Sequence, residues 1–155
     1  GVALTDDNEL LVVRERYGRR GRPRSYKLPG GALHDGEHLE AGVVREVLEE
    51  TGVMTRFQGV VCFRNQHGYR FGKSDIYFVC RLTPLSREIS LQAEEIEGCL
   101  WMPVGRYLGS EDVSPFSKQV VRAALDGTGL APASMDGYAD GDKYEFLMPQ
   151  AWDER

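Results

Sequence analysis

Residues 31–53 read GALHDGEHLEAGVVREVLEETGV, and the spacing within this stretch decides the fold. It predicts a helix over 38–51 that ends at Gly52, because glycine is favoured just after a helix C-terminus. At about 100° per residue, Glu46, Glu49 and Glu50 lie within roughly 100° of arc, so three carboxylates share one face. They are expected to point away from the core. The opposite, core-facing side is predicted to consist of Val44, Val47, Leu48 and Thr51.

Three carboxylates on one helix face repel one another, at a cost of about 0.2–0.5 kcal/mol for each i, i+4 pair. Divalent ions such as Mg²⁺ or Mn²⁺ offset this repulsion, since they bind carboxylate oxygens together with substrate phosphates. Arg45 is expected to pair with Glu49, four residues later, and Gly42 is expected to leave room on this face for an ion or a phosphate. A solvated acidic surface is the alternative interpretation.

The composition is typical of a globular protein with one domain. The 155 residues include 19 Lys and Arg against 24 Asp and Glu, which gives a formal net charge of −5. This length suits a single domain over 1–155. The acidic balance argues against a nucleic-acid partner. No apolar run approaches the roughly 18–20 residues of a membrane helix, so no membrane partner is expected. The chain begins without Met in strand-like sequence, from which we expect a truncated N-terminus.

Strands and helices are interspersed along the chain, which predicts one α/β domain. Runs rich in β-branched and aromatic residues predict strands over 8–16, 26–33, 53–63, 75–82, 98–102 and 143–148. Further helices are predicted over 104–108 and 116–125, and 126–142 is expected to be a flexible connector. The three widely spaced cysteines, Cys62, Cys80 and Cys99, indicate reduced core thiols and therefore a cytoplasmic location.

The pattern G-x5-E-x7-R-E-U-x-E-E-x-G-U, in which U is aliphatic, resembles the Nudix box of the Nudix hydrolases. Its fixed places are filled by Gly31, Glu37, Arg45, Glu46, Glu49, Glu50 and Gly52, and its aliphatic places by Val47 and Val53. The resemblance implies a Nudix fold, which is an α/β/α sandwich around a mixed β-sheet. It also implies divalent-metal-dependent hydrolysis of a small-molecule substrate, a nucleoside diphosphate linked to another moiety, and a possible homodimer.

The resemblance assigns roles to the box residues by position. Glu46, Glu49 and Glu50 would bind the Mg²⁺ or Mn²⁺, and Glu49 or a glutamate outside the box would activate the attacking water. A metal-bound water is more acidic than bulk water, and a carboxylate then removes its proton.

The remaining box residues would support these carboxylates. Arg45 would orient the glutamates, Glu37 would brace the preceding loop, and the backbone of Gly30 and Gly31 would approach the site closely. His38 stands where many members have Ser or Thr, which weakens the helix cap without changing the chemistry.

Downstream, FGKSDIYFVCRL (71–82), PLSREI (84–89) and EEIEGCLWMP (94–103) resemble one Nudix subgroup. That subgroup contains plant ADP-ribose/NADH pyrophosphatases and the animal protein encoded antisense to a fibroblast growth factor. It implies ADP-ribose or NADH as substrate, with AMP and a second phosphate compound as products. A dinucleoside polyphosphate or nucleoside triphosphate is the alternative substrate, because Tyr69 lies where some diadenosine polyphosphate enzymes have Tyr. A non-catalytic nucleotide-binding module is the alternative from another class.

Several residues outside the box are further candidates. Glu95 is a candidate general base or extra metal ligand, with Glu94 and Glu97 as alternatives, because some Nudix enzymes supply such a group from a loop at this place. A plain surface charge is the other interpretation of Glu95.

Besides Gly30 and Gly31, four residues are candidates for binding the substrate. Lys73 could bind a phosphate or ribose, and Arg64 could also reach the substrate. Phe71 or Tyr69 could stack on a base, although aromatic residues next to strands more often pack at the core or its rim.

The segment 14–27 is rich in cations and could attract a polyphosphate or an RNA 5′ end, although a solvated loop is the commoner explanation. Its basic residues are Arg14, Arg16, Arg19, Arg20, Arg22, Arg24 and Lys27.

Overall fold

A computed structural model of the chain describes residues 1–16, 25–91, 95–127, 129–138 and 140–149. The strands, in chain order, are β1 (Val2–Ala3), β2 (Glu9–Glu15), β3 (Thr55–Gln66), β4 (Asp75–Pro84), β5 (Ile96–Pro103), β6 (Leu130–Ala133) and β7 (Phe146–Pro149). The helices are α1 (Leu39–Thr51), α2 (Val104–Gly109) and α3 (Pro115–Asp126). One sheet has the order β1–β4–β3–β6–β7, and β2 pairs with β5 in a second sheet.

Helices cover both faces of this arrangement. Because alternate residues of a strand point to opposite faces, β2 divides its side chains between two buried clusters. Leu10 and Val12 lie in the cluster that contains the buried face of α3. Leu11, between them, lies in the cluster that contains the buried face of α1. Strand β1 is parallel to β4, whereas the other registered pairs are antiparallel. The predicted α/β/α sandwich with a mixed sheet is therefore confirmed.

The predicted helix over 38–51 is confirmed with its start at Leu39. Gly52 ends it in the left-handed region, at φ 73°, and donates its N–H to the Leu48 carbonyl at 2.8 Å. The predicted helices over 104–108 and 116–125 correspond to α2 and α3, and α3 has a Ser114 N-cap that accepts the Ser117 N–H at 3.1 Å.

Two predicted elements are wrong. The segment 26–33 forms no strand, and its bridge to β2 is a single pair, Val13 with Lys27. Its backbone then leaves the sheet at Pro29, which has no N–H to donate, and Gly30 adopts φ 144°. The expected connector over 126–142 contains strand β6, which pairs with β7 and meets β3 where Val60 is opposite Leu130.

The buried face of α1 also differs from the predicted one. Leu48 is 44% exposed, whereas Val43 is 9% exposed and Val47 is fully buried. The buried stripe thus follows residues 43, 47, 50 and 51, which have the i, i+4, i+7, i+8 spacing of one helix face. Glu50 lies on this stripe and is 8% exposed, so the expectation that all three glutamates point away from the core is wrong for Glu50.

The three cysteines are free thiols, as predicted. Burial raises the pKa of the Cys80 thiol to about 11 and that of the Cys99 thiol to about 12. Both therefore stay protonated at neutral pH, which fits a packing role. Within the described ranges, none of the helices has the length and apolar character that crossing a membrane requires.

Candidate active site

Arg45 is the cation that compensates the carboxylates of α1 and its preceding loop. Its Nε and Nη2 donate to the two oxygens of Glu37, at 2.7 and 2.8 Å. Its Nη1 donates to Glu46 Oε1 at 2.9 Å and to Glu49 Oε2 at 3.1 Å. Nη2 also donates to the Ala32 carbonyl at 3.2 Å. The expected Arg45–Glu49 pair is present, and one guanidinium holds three carboxylates and the loop in a fixed arrangement.

Glu37 connects the loop to the helix. Hydrogen bonds from Arg45 and then from the His34 backbone N–H lower the pKa of Glu37 to about 2, so it stays ionised. The same residue fills the space beside Gly42, where an added Cβ would run into the Leu33 side chain and the Glu37 carboxylate. Gly42 therefore allows the loop to pack on the helix, and it also lines the cavity described below. That it leaves room for an ion or a phosphate stays a prediction.

Glu50 is held between the loop and a lysine. One carboxylate oxygen, Oε2, accepts the Gly30 N–H at 2.8 Å, and the other lies 3.9 Å from Lys27 Nζ. Burial raises the pKa of Glu50, while Lys27 and the Gly30 N–H act in the opposite direction. Glu50 is thus a desolvated carboxylate whose charge the Gly30 N–H and the Lys27 ammonium partly compensate.

Gly31 allows the loop backbone to approach Glu46. A Cβ at Gly31 would overlap the carboxylate group of Glu46, so any larger residue would displace this carboxylate or the loop. The expected close approach of the Gly30–Gly31 backbone to the glutamates is therefore present.

A cavity of about 710 Å³ lies beside this cluster. Its walls are the loop over 29–33, the first half of α1 as far as Glu46, and the facing part of β3 and β4. The volume is in the range of pockets that hold cofactors and drug-sized ligands. The site thus joins a carboxylate helix to a space large enough for a nucleotide.

Four of the six predicted substrate-binding residues line this cavity: Gly30, Gly31, Arg64 and Tyr69. Arg64 Nη2 forms an ion pair with Asp75 Oδ2 at 2.5 Å. Its guanidinium also stacks over the rings of Tyr77 and Phe116, at 5.3 and 5.5 Å from their centroids. Arg64 is therefore fixed by an acid and two aromatic rings, which orients it at the cavity wall.

The other two predicted substrate-binding residues do not line the cavity. Phe71 is 96% exposed at the tip of the turn between β3 and β4, where its φ is 58°. Lys73 is exposed, and its carbonyl accepts the Tyr69 N–H at 2.9 Å. The structure does not bring either side chain to the carboxylates.

Glu95 also lies outside the cavity wall. It is exposed, and its carbonyl accepts the Arg16 N–H at 2.8 Å. Of its alternatives, Glu97 forms an ion pair with Arg14 at 2.8 Å, and Glu94 falls outside the described residues.

The predicted basic segment is described only in part. Arg19, Arg20, Arg22 and Arg24 fall outside the described residues. Arg14 pairs with Glu97, and Lys27 pairs with Glu15 at 2.5 Å, so two of the described cations are partly neutralised.

Sequence reasoning missed Asp75 and Gln66, which line the cavity together with Arg64. The strand was predicted to end at 63, although β3 continues to Gln66. Extending the β3–β4 hairpin would have found both residues, because Gln66 is registered opposite Asp75, and Arg64 opposite Tyr77.

Among the described residues, no group of three or more His, Cys, Asp or Glu side chains is arranged to hold a metal ion. The donor chemistry nonetheless fits Mg²⁺ or Mn²⁺, which prefer carboxylate oxygens. Arg45 engages one oxygen of Glu46 and one of Glu49, so each carboxylate keeps a second oxygen as donor. Glu50 adds a buried carboxylate that a cation would stabilise. Glu46, Glu49 and Glu50 are the residues that would hold the ion.

The sandwich fold and the carboxylate helix beside a nucleotide-sized cavity define a Nudix-type domain. The sequence profile of the NUDIX domain matches residues 1–124, and the chain therefore belongs to the Nudix family of hydrolases.

Relatives from plants and animals match the chain. Nudix hydrolase 2 of Arabidopsis thaliana is 44% identical over 73% of this chain and 41% of its own length. Nucleoside diphosphate-linked moiety X motif 6 of Xenopus laevis is 37% identical over 82% of this chain and 58% of its own length. The predicted subgroup is thus confirmed, and the chain spans less than two thirds of either relative.

Solved structures share the fold. A NUDIX hydrolase from Nitrosomonas europaea has a TM-score of 0.66 and 23% identity, over 83% of this chain and 86% of that one. The NUDIX domain of Shewanella oneidensis NrtR, solved with ADP ribose, has a TM-score of 0.61 and 17% identity, over 80% of each chain.

Proposed function

We propose that the chain hydrolyses the diphosphate bond of a nucleoside diphosphate linked to another moiety, with Mg²⁺ or Mn²⁺ held by Glu46, Glu49 and Glu50. The observation that carries this proposal is Glu46, which lines the 710 Å³ cavity and shares the Arg45 guanidinium with Glu49. A cavity of this size is large enough for a nucleoside, and in this proposal the diphosphate lies near Glu46.

The metal ion, Glu49 and Arg45 have different roles in the proposed reaction. A bound divalent ion supplies charge neutralisation for the diphosphate and lowers the pKa of a bound water. We assign the acceptance of that water's proton to Glu49, whose half-exposed side chain is open to solvent. Arg45 fixes the orientation of Glu46 and Glu49 before the substrate arrives, which lowers the reorganisation needed in the reaction.

We propose ADP-ribose or NADH as the substrate. Water attack on the diphosphate would give AMP together with ribose 5-phosphate or reduced nicotinamide mononucleotide. This choice is supported by the sequence resemblance to the plant and animal subgroup, since that resemblance implies ADP-ribose or NADH. Relatives from plants and animals match the chain. The ADP ribose bound to the NrtR domain is an observation on that protein, which shares the fold.

A dinucleoside polyphosphate or a nucleoside triphosphate is the second candidate substrate. It is favoured by Tyr69, the residue that suggests diadenosine polyphosphates, because Tyr69 lines the cavity. An aromatic side chain at this wall could stack on a second base.

A hydrolysis panel separates these candidates. ADP-ribose, NADH, diadenosine polyphosphates, coenzyme A and nucleoside triphosphates would each be incubated with Mg²⁺, with Mn²⁺ and with EDTA, and the products separated by chromatography. The proposal predicts metal-dependent AMP release from ADP-ribose or NADH, abolished by EDTA and strongly reduced in Glu49→Gln. ATP released from a dinucleoside polyphosphate would favour the second candidate. No turnover with either metal would contradict hydrolysis of these substrates and favour a nucleotide-binding module.

Two further parts of the proposal concern the protein as a whole. A cytoplasmic location is supported by the free thiols of Cys62, Cys80 and Cys99, which suit a reducing compartment. A homodimer is proposed from the family resemblance, and light scattering after size-exclusion chromatography would measure the mass against 17.4 kDa for one chain.

A further inference from the structure

The N-terminus of α1 is not capped by the side chain of its N-cap residue, His38. His38 has the extended backbone of an N-cap, with φ −68° and ψ 148°, but its side chain makes no capping hydrogen bond. The first N–H groups of a helix have no acceptor within the helix and need one from elsewhere. In many helices a Ser, Thr, Asp or Asn side chain at this place supplies it.

Glu145, more than a hundred residues later in the chain, supplies this acceptor. Its Oε2 accepts the Leu39 N–H at 3.0 Å, and its Oε1 accepts the Glu40 N–H at 3.3 Å. The His38 ring nitrogen Nδ1 lies 3.8 Å from the same Oε1. A carboxylate here also interacts favourably with the positive end of the helix dipole.

The C-terminal hairpin, formed by β6 and β7, holds Glu145 in this position. Glu145 directly precedes β7 and is flanked by Tyr144 and Phe146, whose rings lie 5.2 and 5.5 Å from the ring of Tyr138. Leu147, in β7, packs against the buried cluster of α1. The hairpin is thus attached to the helix both by the carboxylate and by apolar packing.

The same hairpin is attached to the opposite wall of the cavity. Strand β6 meets β3 where Leu130 is registered with Val60, and β3 contributes Arg64 and Gln66 to the cavity. Helix α1 contributes Leu39 and Glu46 to the facing wall. The hairpin therefore links the two walls between which the substrate would bind.

We propose that Glu145 is a positioning residue, which caps α1 from the C-terminal hairpin and so fixes the carboxylate helix relative to the sheet wall of the cavity. The expected effect of Glu145 on turnover rests on the proposed function, whereas its capping of the helix does not. The NUDIX profile match ends at residue 124, so the cap comes from a part of the chain beyond the matched domain.

The first test measures the cap without using activity. Amide hydrogen exchange of Leu39 and Glu40 would be followed in the full chain, in Glu145→Ala and in Glu145→Gln. Loss of both acceptor oxygens in Glu145→Ala should speed exchange at these two amides about tenfold, on the scale of a lost helix cap. Glu145→Gln keeps one acceptor oxygen and should show a smaller increase. Glu111→Ala, at an exposed residue in the turn between α2 and α3, is the matched control and should change neither amide.

The second test asks whether capping explains any loss of turnover. Glu145→Ala should lower kcat/KM about three- to tenfold on the best substrate of the panel, because the carboxylates of α1 are held less firmly. Adding His38→Ser to Glu145→Ala places a local cap on the helix and should restore both the slow exchange of Glu40 and most of kcat/KM. A merely structural role in the hairpin would not be rescued at His38.

Unchanged exchange in Glu145→Ala, or a loss of kcat/KM that His38→Ser does not restore, would overturn the inference. A wild-type chain with no turnover on the panel but with the expected exchange pattern would contradict the proposed function and still support the cap.

Discussion

Replacing Val47 by alanine should destabilise the fold by about 2–3 kcal/mol, whereas the same replacement at Leu48 should cost less than about 1 kcal/mol. Val47 is fully buried in the cluster that also contains Leu11 and Leu82. The change removes two carbon atoms, worth about 1.6 kcal/mol of transfer free energy, and the cavity left behind adds to this loss. Leu48 loses more carbon, but it is already 44% exposed, so its truncation leaves no closed cavity in the core.

The assays are urea unfolding and thermal unfolding, both followed by circular dichroism, with both variants measured beside the wild type. A loss of 2–3 kcal/mol should lower the melting temperature by about 5–10 °C in a domain of this size. Leu48→Ala is the matched control, because it lies on the same helix one residue away. A loss in Leu48→Ala equal to or larger than that in Val47→Ala would refute the assignment of the buried face.

Three further predictions concern the site. Glu50→Gln should lower kcat by about 10²–10⁴. Its melting temperature should be unchanged or higher, because the amide oxygen still accepts the backbone N–H and the side chain carries no charge to desolvate. A kcat within tenfold of the wild type would contradict this prediction. Gly31→Ala should lower kcat/KM by about 10²-fold, because the added Cβ displaces the Glu46 carboxylate or the loop, and a variant with normal kinetics would refute the close approach. The pKa of Glu37 is about 2 against an ordinary value of 4.5, so its stabilisation is present above pH 4.5 and is lost as the pH falls towards 2. Urea titrations between pH 5 and 2 should therefore show that the free energy of unfolding falls more steeply in the wild type than in Glu37→Gln, whose neutral side chain has no charge to pair with Arg45. Parallel curves would exclude the effect.

The carboxylate helix and its arginine could be predicted because their contacts are local in sequence. The Arg45–Glu49 pair follows from i, i+4 geometry, and the end of the helix follows from the freedom of Gly52 to adopt φ 73°. Nothing distant has to be known to obtain either result.

The burial of Glu50 could not be predicted from the helix alone. Its valines and leucine support two overlapping stripes, one through Val44 and Leu48 and one through Val43 and Val47. Apolar periodicity over so few positions does not distinguish them. The packing partners decide the outcome, because Leu11 and Leu82 come from strands far away in sequence and meet the helix on the second stripe.

Strand β6 was missed because its sequence argues against a strand. Leu130–Ala133 reads LAPA, is surrounded by glycine and aspartate, and contains a proline that cannot donate to a sheet. Its pairing with β7 and its single registered contact with β3 depend on tertiary context. The capping role of Glu145 was missed for the same reason, since it depends on where this hairpin lies.

The two parts of the site are assembled in different ways. We therefore expect the carboxylate helix to determine the rate of hydrolysis and the opposite wall to determine which substrate is preferred. The carboxylates come from one contiguous stretch that ends in a helix, so their spacing relative to one another is set within the box, even though Glu145 positions the helix as a whole. The opposite wall comes from β3 and β4, where Arg64 is held by Asp75 and by aromatic rings. Arg64 lines the cavity, and its ion pair is with Asp75, not with a glutamate of α1, so substitutions such as Arg64→Gln should act mainly on KM and on the preference among substrates. Substitutions at Glu49 should act on kcat for every substrate, and a Michaelis–Menten comparison of the two variants on two substrates measures this division.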